Sequence, residues 1–323
     1  MAGGARFLAW LGRRGPLALS SLVFLGIALP PLGRLLKPLV SEAVFILLCL
    51  AFLQVDARAM RGHLKKPALV AGSAIFSAVL LPAIFGTAGL LMGLDRTAPE
   101  LYLGLVVQAA ASPMMASPAL AAIMGLDSTL VLASMAASSL LLPLTAPVFA
   151  QVFLGGALTI SPLALAGKLT AMLFGSALLG LGLRRVLGSA WVHGHREALN
   201  GCNLLALFVF VASVMGGLGS FFLADPLSAL TMTALAFLVF GLLLALTTLA
   251  FWRAGPAKAL ALGLMASQRN LGIMLATAGA SLPEAVWVYF AASQFPIYLS
   301  PQLLRPLASR LLHRKDGGGR MKK

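Results

Sequence analysis

The sequence predicts an all-α polytopic membrane protein of ten transmembrane helices, arranged as two inverted five-helix repeats. Three observations lead there. Of 323 residues, 60% are hydrophobic and 10% charged, whereas a soluble domain is about 25% charged. Charge and Gly/Pro breaks divide the chain into ten apolar blocks, most of them near the ~20 residues a helix needs to cross a bilayer. Cationic residues gather in alternate segments between the blocks. The composition excludes disorder, which requires low hydrophobicity. The unbroken apolar runs exclude a transmembrane β-barrel, whose strands alternate in polarity.

The first block, 16–32, follows Arg13 and Arg14 and an interfacial stretch, Phe7-Leu8-Ala9-Trp10-Leu11. It ends in Leu29-Pro30-Pro31-Leu32, without the small-x-small pattern of a cleavage site, and reads as a retained helix. The next four blocks are 38–55, 67–92, 101–124 and 128–154. The remaining five are 162–183, 198–219, 226–252, 257–280 and 283–304. With the N-terminus inside, the inside segments hold 19 Lys and Arg and the outside segments hold 3, namely Arg34, Lys37 and Arg96. Lys168 and Arg269 fall within spans. The positive-inside rule then places both termini in the cytoplasm and the chain in the cytoplasmic (inner) membrane. This distribution accounts for the net charge of +15 through anchoring at the bilayer. No nucleic-acid-binding motif accompanies it, so the expected partners are the lipid bilayer and a small solute.

Ten spans divide into residues 1–154 and 155–307, followed by a basic cytoplasmic tail, 308–323. Five spans per half force the second half to enter the membrane inverted, the plan of many secondary transporters. The fourth and ninth spans then correspond. The fourth reads Gln108-Ala-Ala-Ala-Ser112-Pro113-Met-Met-Ala-Ser117-Pro118, and its two prolines remove backbone donors at mid-span. The ninth reads Ala266-Ser267-Gln268-Arg269-Asn270-Leu-Gly272. Arginine alone costs about 2.5–3.5 kcal/mol at a helix centre. Separately, these are a proline kink and a polar helix–helix contact. Together, in corresponding spans, they favour a central site built from two broken, crossing helices.

Longer stretches carry a resemblance. Phe52-Leu-Gln-Val-Asp56-Ala-Arg58, then Lys65-Lys66-Pro67 running on to Leu81-Pro82, resembles the bile acid:sodium symporter family. So do Gly125-Leu126-Asp127 with Ala137-Ser138-Ser139, Pro143 and Pro147, and Arg269-Asn270 with Gln294-Phe295-Pro296-Ile297-Tyr298-Leu299. The chain looks like a divergent bacterial-type member of the superfamily of bile acid, arsenite and riboflavin transporters. The resemblance implies a panel and a core, with helices 4 and 9 crossing in the core. It also implies sodium held there by a Glu, an Asn, a Gln and hydroxyls. In this chain those positions fall on Met265, Pro118 (after the retained Ser117), Ser77, and Val131 with Met135.

Sodium prefers hard oxygen ligands, and these replacements remove several. A buried Arg269 supplies positive charge instead and suits a carboxylate or sulfonate. It serves equally as a clamp on carbonyls freed in the fourth span. The expected substrate-binding residues are Arg269, Asn270, Gln268, Ser267, Ser112, Ser117, Gln294 and Asn203. Ser77, Ser117, Gln268 and Glu42 are the expected ion-coupling residues. No cofactor is expected beyond Na+ or H+ as coupling ion. Glu42 and Lys168 suit the interface or a pair across the panel. Asp127 and Glu284 suit helix starts.

Two cysteines, Cys49 and Cys202, build no thiolate metal site. The four histidines, His63, His193, His195 and His313, all lie in predicted cytoplasmic segments, and no H-E-x-x-H or phosphate-binding loop occurs. An enzyme is therefore not expected. The expected function is secondary active transport of a small organic anion by alternating access. An uncoupled uniporter or channel-like facilitator, and a sodium symporter with a rebuilt cation site, stay open beside it.

Overall fold

The computed structural model describes residues 6–8, 10, 30–54 and 67–317. The expected first span lies almost wholly outside them, as do the cationic segment 56–66 and the end of the tail. The described residues are mostly helical, with main helices in the order α1 Pro30–Leu36, α2 Val40–Gln54, α3 Pro67–Ile75, α4 Leu81–Leu91, α5 Pro99–Ala110, α6 Ser117–Ile123 and α7 Ser128–Leu154. They continue with α8 Pro162–Leu187, α9 Arg196–Ala224, α10 Pro226–Ala250, α11 Pro256–Ser267, α12 Leu271–Ala278 and α13 Glu284–Gly317.

Among these residues, six helical stretches are long and apolar enough to cross a membrane: Pro31–Gln54, Pro67–Leu91, Ser128–Ala157, Pro162–Leu187, Arg196–Ala224 and Pro226–Ala250. Large apolar side chains stay exposed on them, Leu163 at 84% and Leu178 at 78%, as lipid-facing positions require. The expected second span starts earlier than its block. Arg34 and Lys37, expected in an outside loop, lie within Pro31–Gln54. Both remain exposed, and the Lys37 ammonium sits 4.4 Å over the Trp287 ring, so neither charge obstructs the helix. The expected fourth span is divided between α5 and α6, and the ninth between α11 and α12. The tenth becomes the 34-residue α13, with Pro296, Pro301 and Pro306 inside it. That helix runs on into the basic tail, as helix-favouring Leu, Arg and Lys allow.

Local chemistry sets the boundaries. Asp127 caps α7, its Oδ1 accepting the Leu130 N–H at 2.9 Å. Ser161 caps α8 through Ala164 N at 3.2 Å, with Pro162 in the first turn. Gly188, at φ 81°, ends α8 in a conformation L side chains avoid. Asp225 caps α10 through Ser228 N at 3.1 Å. Hydrogen bonds from Ser228, hydroxyl and backbone, hold the Asp225 carboxyl below the usual carboxylate range. Replacing Asp127 with alanine is expected to cost about 0.5–2 kcal/mol, read as a lower melting temperature of the purified protein; an unchanged value contradicts the cap.

The chain divides into two compact units. One comprises Met1–Val55, Leu158–Met232 and Gly272–Ala292. In it, α9 packs on α1 and α2, and α8 packs on α2. Small residues let the backbones meet, as in membrane helix pairs generally. A Cβ at Gly33 would stand 2.8 Å from the Gly216 Cα. Arg184 Nη1 donates to the Leu53 carbonyl at 3.0 Å, covering the open end of α2.

The other unit comprises Asp56–Ala157, Thr233–Leu271 and Ser293–Lys323. Its core joins Val131 and Met135 of α7 to Leu260, Leu262 and Leu264 of α11 and to Ala121 of α6. Ser73 donates to Ser134 at 2.7 Å, linking α3 to α7.

Candidate functional site

Within this second unit, two non-helical segments meet. Pro113 cannot donate and pushes its predecessor out of the helical region. Ala111 is already extended at ψ 150°, and α5 stops. At the end of α11, Gln268 leaves the helix at φ −83°, ψ 77°. The two segments pair as an antiparallel bridge between Pro113 and Arg269. Met114 N donates to Gln268 O at 2.6 Å and Asn270 N to Ser112 O at 2.8 Å. Those bonds belong to the neighbours of Pro113, so its missing N–H leaves the bridge intact. Pro118 sits in the first turn of α6, where a proline is at home.

Arg269 is 1% exposed. Its Nη1 donates to Ala111 O at 2.7 Å, to Ser77 Oγ at 3.2 Å and to Ser77 O at 3.3 Å. Its Nη2 reaches Ser77 O at 3.4 Å. Among the described residues, Nε has no partner.

The Ser77 carbonyl is free for a local reason. Residues Phe76–Leu80 form one π-helical turn, and the Leu81 N–H, its ordinary α-helical partner, goes to Phe76 O instead. The next residue, Pro82, would be the donor in the wider register and has no N–H. Arg269 supplies what the helix lacks.

Gln268 does the same one residue earlier. Its Nε2 donates to Ser300 Oγ at 2.6 Å and Ile297 O at 3.2 Å. Ile297 is the residue whose carbonyl an N–H at position 301 would satisfy, and position 301 is proline. Gln268 Oε1 has no partner among the described residues. Ser117 Oγ donates to Met114 O at 2.7 Å and Ser267 Oγ to Leu264 O at 2.9 Å, so both hydroxyls close turns beside the bridge.

The structure thus gathers Ser77, Ser112, Ser117, Ser267, Gln268, Arg269 and Asn270 around one bridge. Gln294 is 4% exposed on the part of α13 within the same unit. Asn203, half-buried on α9, and Glu42, exposed on α2, belong to the first unit; so does Lys168, exposed on α8. His195 stacks on Trp191 with ring centroids 4.2 Å apart.

Sequence reasoning missed Ser300 and the carbonyl of Ala111. The usable signal was the pair of prolines Pro82 and Pro301, each of which removes an N–H near a carbonyl that side chains then reach: Arg269 at Ser77 O, and Ser300 Oγ at 2.8 Å with Gln268 at Ile297 O.

A model of the Sodium Bile acid symporter family matches residues 42–225. That range includes Ser77 and the whole first interruption and stops before Gln268 and Arg269. No curated protein matches the chain.

Proposed function

The chain belongs to the Sodium Bile acid symporter family, a family of membrane transporters, and from that premise we propose that it is a secondary active carrier for a small organic anion. Its apolar helices and its family make it an integral membrane protein. The proposal adds ten spans in two inverted repeats and both termini in the cytoplasm of an inner-membrane protein. The fourth and ninth spans are broken and cross at the bridge. Alternating access then comes from movement of core against panel.

One observation carries the choice of an anion. Arg269 is a guanidinium buried among neutral oxygens, and the buried side chains of the described residues include no carboxylate. A net positive charge in a low-dielectric interior is costly unless an anion joins it. An incoming carboxylate or sulfonate lowers that cost, and the unpaired Arg269 Nε–H offers it a charged donor. Ser112, Ser117, Ser267, Gln268, Asn270 and Gln294, all of the second unit, are the proposed polar lining. Glu42 is the proposed site for coupling protons.

The test is counterflow in proteoliposomes preloaded with unlabelled anion. A carrier drives transient accumulation of labelled carboxylate or sulfonate above equilibrium, and a channel cannot. We expect that accumulation from the wild type, and its loss in Arg269→Gln at equal reconstituted protein. Preference for cationic solutes, or unchanged uptake in the variant, would sink the anion reading. Equilibration without overshoot would favour the channel-like facilitator.

A further inference from the structure

Membership in a sodium symporter family raises the question of whether sodium fits this chain. Sodium is a hard cation, and anionic oxygen offsets its dehydration. The buried side chains of the described residues offer no carboxylate, and the one charged group among them is itself a cation, Arg269. Side chains at three positions where the resemblance implies ligands are apolar and buried: Met265 at 0%, Val131 at 0% and Met135 at 5% exposed. The oxygens that do converge from two helices are Ala111 O, Ser77 O and Ser77 Oγ. All three already accept hydrogen bonds from Arg269 Nη1, at 2.7, 3.3 and 3.2 Å. A second monovalent cation within a few ångströms of that guanidinium meets strong repulsion in a water-poor interior.

We propose that the Arg269 guanidinium is a tethered cation standing where a mobile sodium ion would be held, so that this chain works without sodium. Three properties suit it to the role. It carries the same unit charge as sodium. It binds oxygens contributed by two separate helices, as a coordinating ion would. Its stem is anchored at the β-bridge with Pro113, so it holds those helices together permanently rather than once per cycle. For its consequence, sodium-independent transport, this inference rests on the carrier reading. Its test reads binding alone.

The experiment titrates sodium chloride against choline chloride at constant ionic strength and follows the melting temperature of the full-length, detergent-purified chain. A ligand that binds the folded state raises apparent stability with its concentration. Wild type and Arg269→Lys, which both keep a cation on the stem, are expected to melt identically in the two salts. Arg269→Gln keeps a hydrogen-bonding amide but frees the charge position, and is expected to gain a saturable, sodium-specific rise of several degrees.

A saturable sodium-specific rise in the wild type overturns the proposal. So does a flat response from monodisperse Arg269→Gln, which would make the guanidinium a carbonyl clamp and nothing more. Should that variant fail to purify, radiolabelled sodium binding to the wild type decides: saturable binding overturns the inference, and its absence supports it. Failure of anion counterflow would remove the carrier reading while leaving each of these binding results to be read on its own.

Discussion

Replacing Arg269 with alanine is expected to lower the melting temperature of the purified protein by roughly 4–12 °C. The guanidinium donates to Ala111 O and Ser77 O, and neither loss is easily repaired in a dry interior. A buried polar group left unpaired costs about 1–3 kcal/mol, so two carbonyls together cost about 2–6 kcal/mol, at about 2 °C per kcal/mol for a chain of this size. Relief of the buried charge works against this loss, but alanine also leaves the volume of the arginine stem empty. Pro82→Ala supplies the internal check, because it returns an N–H to the helix beside the freed Ser77 carbonyl. In the double variant part of the lost stability should come back, a coupling that a double-mutant cycle reads directly. An Arg269→Ala protein that melts with the wild type, or a cycle with no coupling, would contradict this account of the π-helical turn.

Gly180→Val is the second large effect. A Cβ at Gly180 would stand 2.5 Å from the Cys49 carbonyl oxygen, 2.8 Å from the Phe52 Cβ and 3.1 Å from the Leu53 N. Two of these are backbone atoms that no rotamer change removes, so α2 and α8 must separate. Overpacking of this kind costs about 1–3 kcal/mol where side chains can adjust, and more here. Separation would also pull Arg184 from the Leu53 carbonyl. At Gly182, on the same helix, a Cβ would meet nothing within 4 Å, so Gly182→Val serves as the control and should melt near the wild type. Equal melting of the two variants would refute the close packing of α2 on α8.

Much of this architecture was legible in the sequence. Long apolar blocks need no tertiary information to be recognised, and α7 runs over the same 128–154 as its block. Two helix ends were legible too, because Pro113 and the polar run Ser267 to Asn270 break helical rules, and α5 and α11 stop beside them. Less legible was what Arg269 does with its donors. Sequence reasoning weighs an anion against freed carbonyls of the fourth span. The structure shows Nη1 and Nη2 on the carbonyls of Ala111 and Ser77, the latter in the π-helical turn between α3 and α4. That partner depends on a change of helical register at Phe76–Leu80, and Pro82 marks the place without revealing which carbonyl is freed. The start of the second span is misplaced by sequence because Arg34 and Lys37 look like a loop, whereas exposed cations sit comfortably on a helix.

The tie between Arg269 and Ala111 spans 158 residues of sequence, and this bears on how the protein is made. Synthesis at about 5–20 residues per second leaves roughly 8–30 s between the emergence of the third to fifth helices and the arrival of the side chain that completes them. Throughout that interval the nascent chain holds bare carbonyls in the bilayer. A chain terminated before residue 269 lacks the donor that those carbonyls accept from.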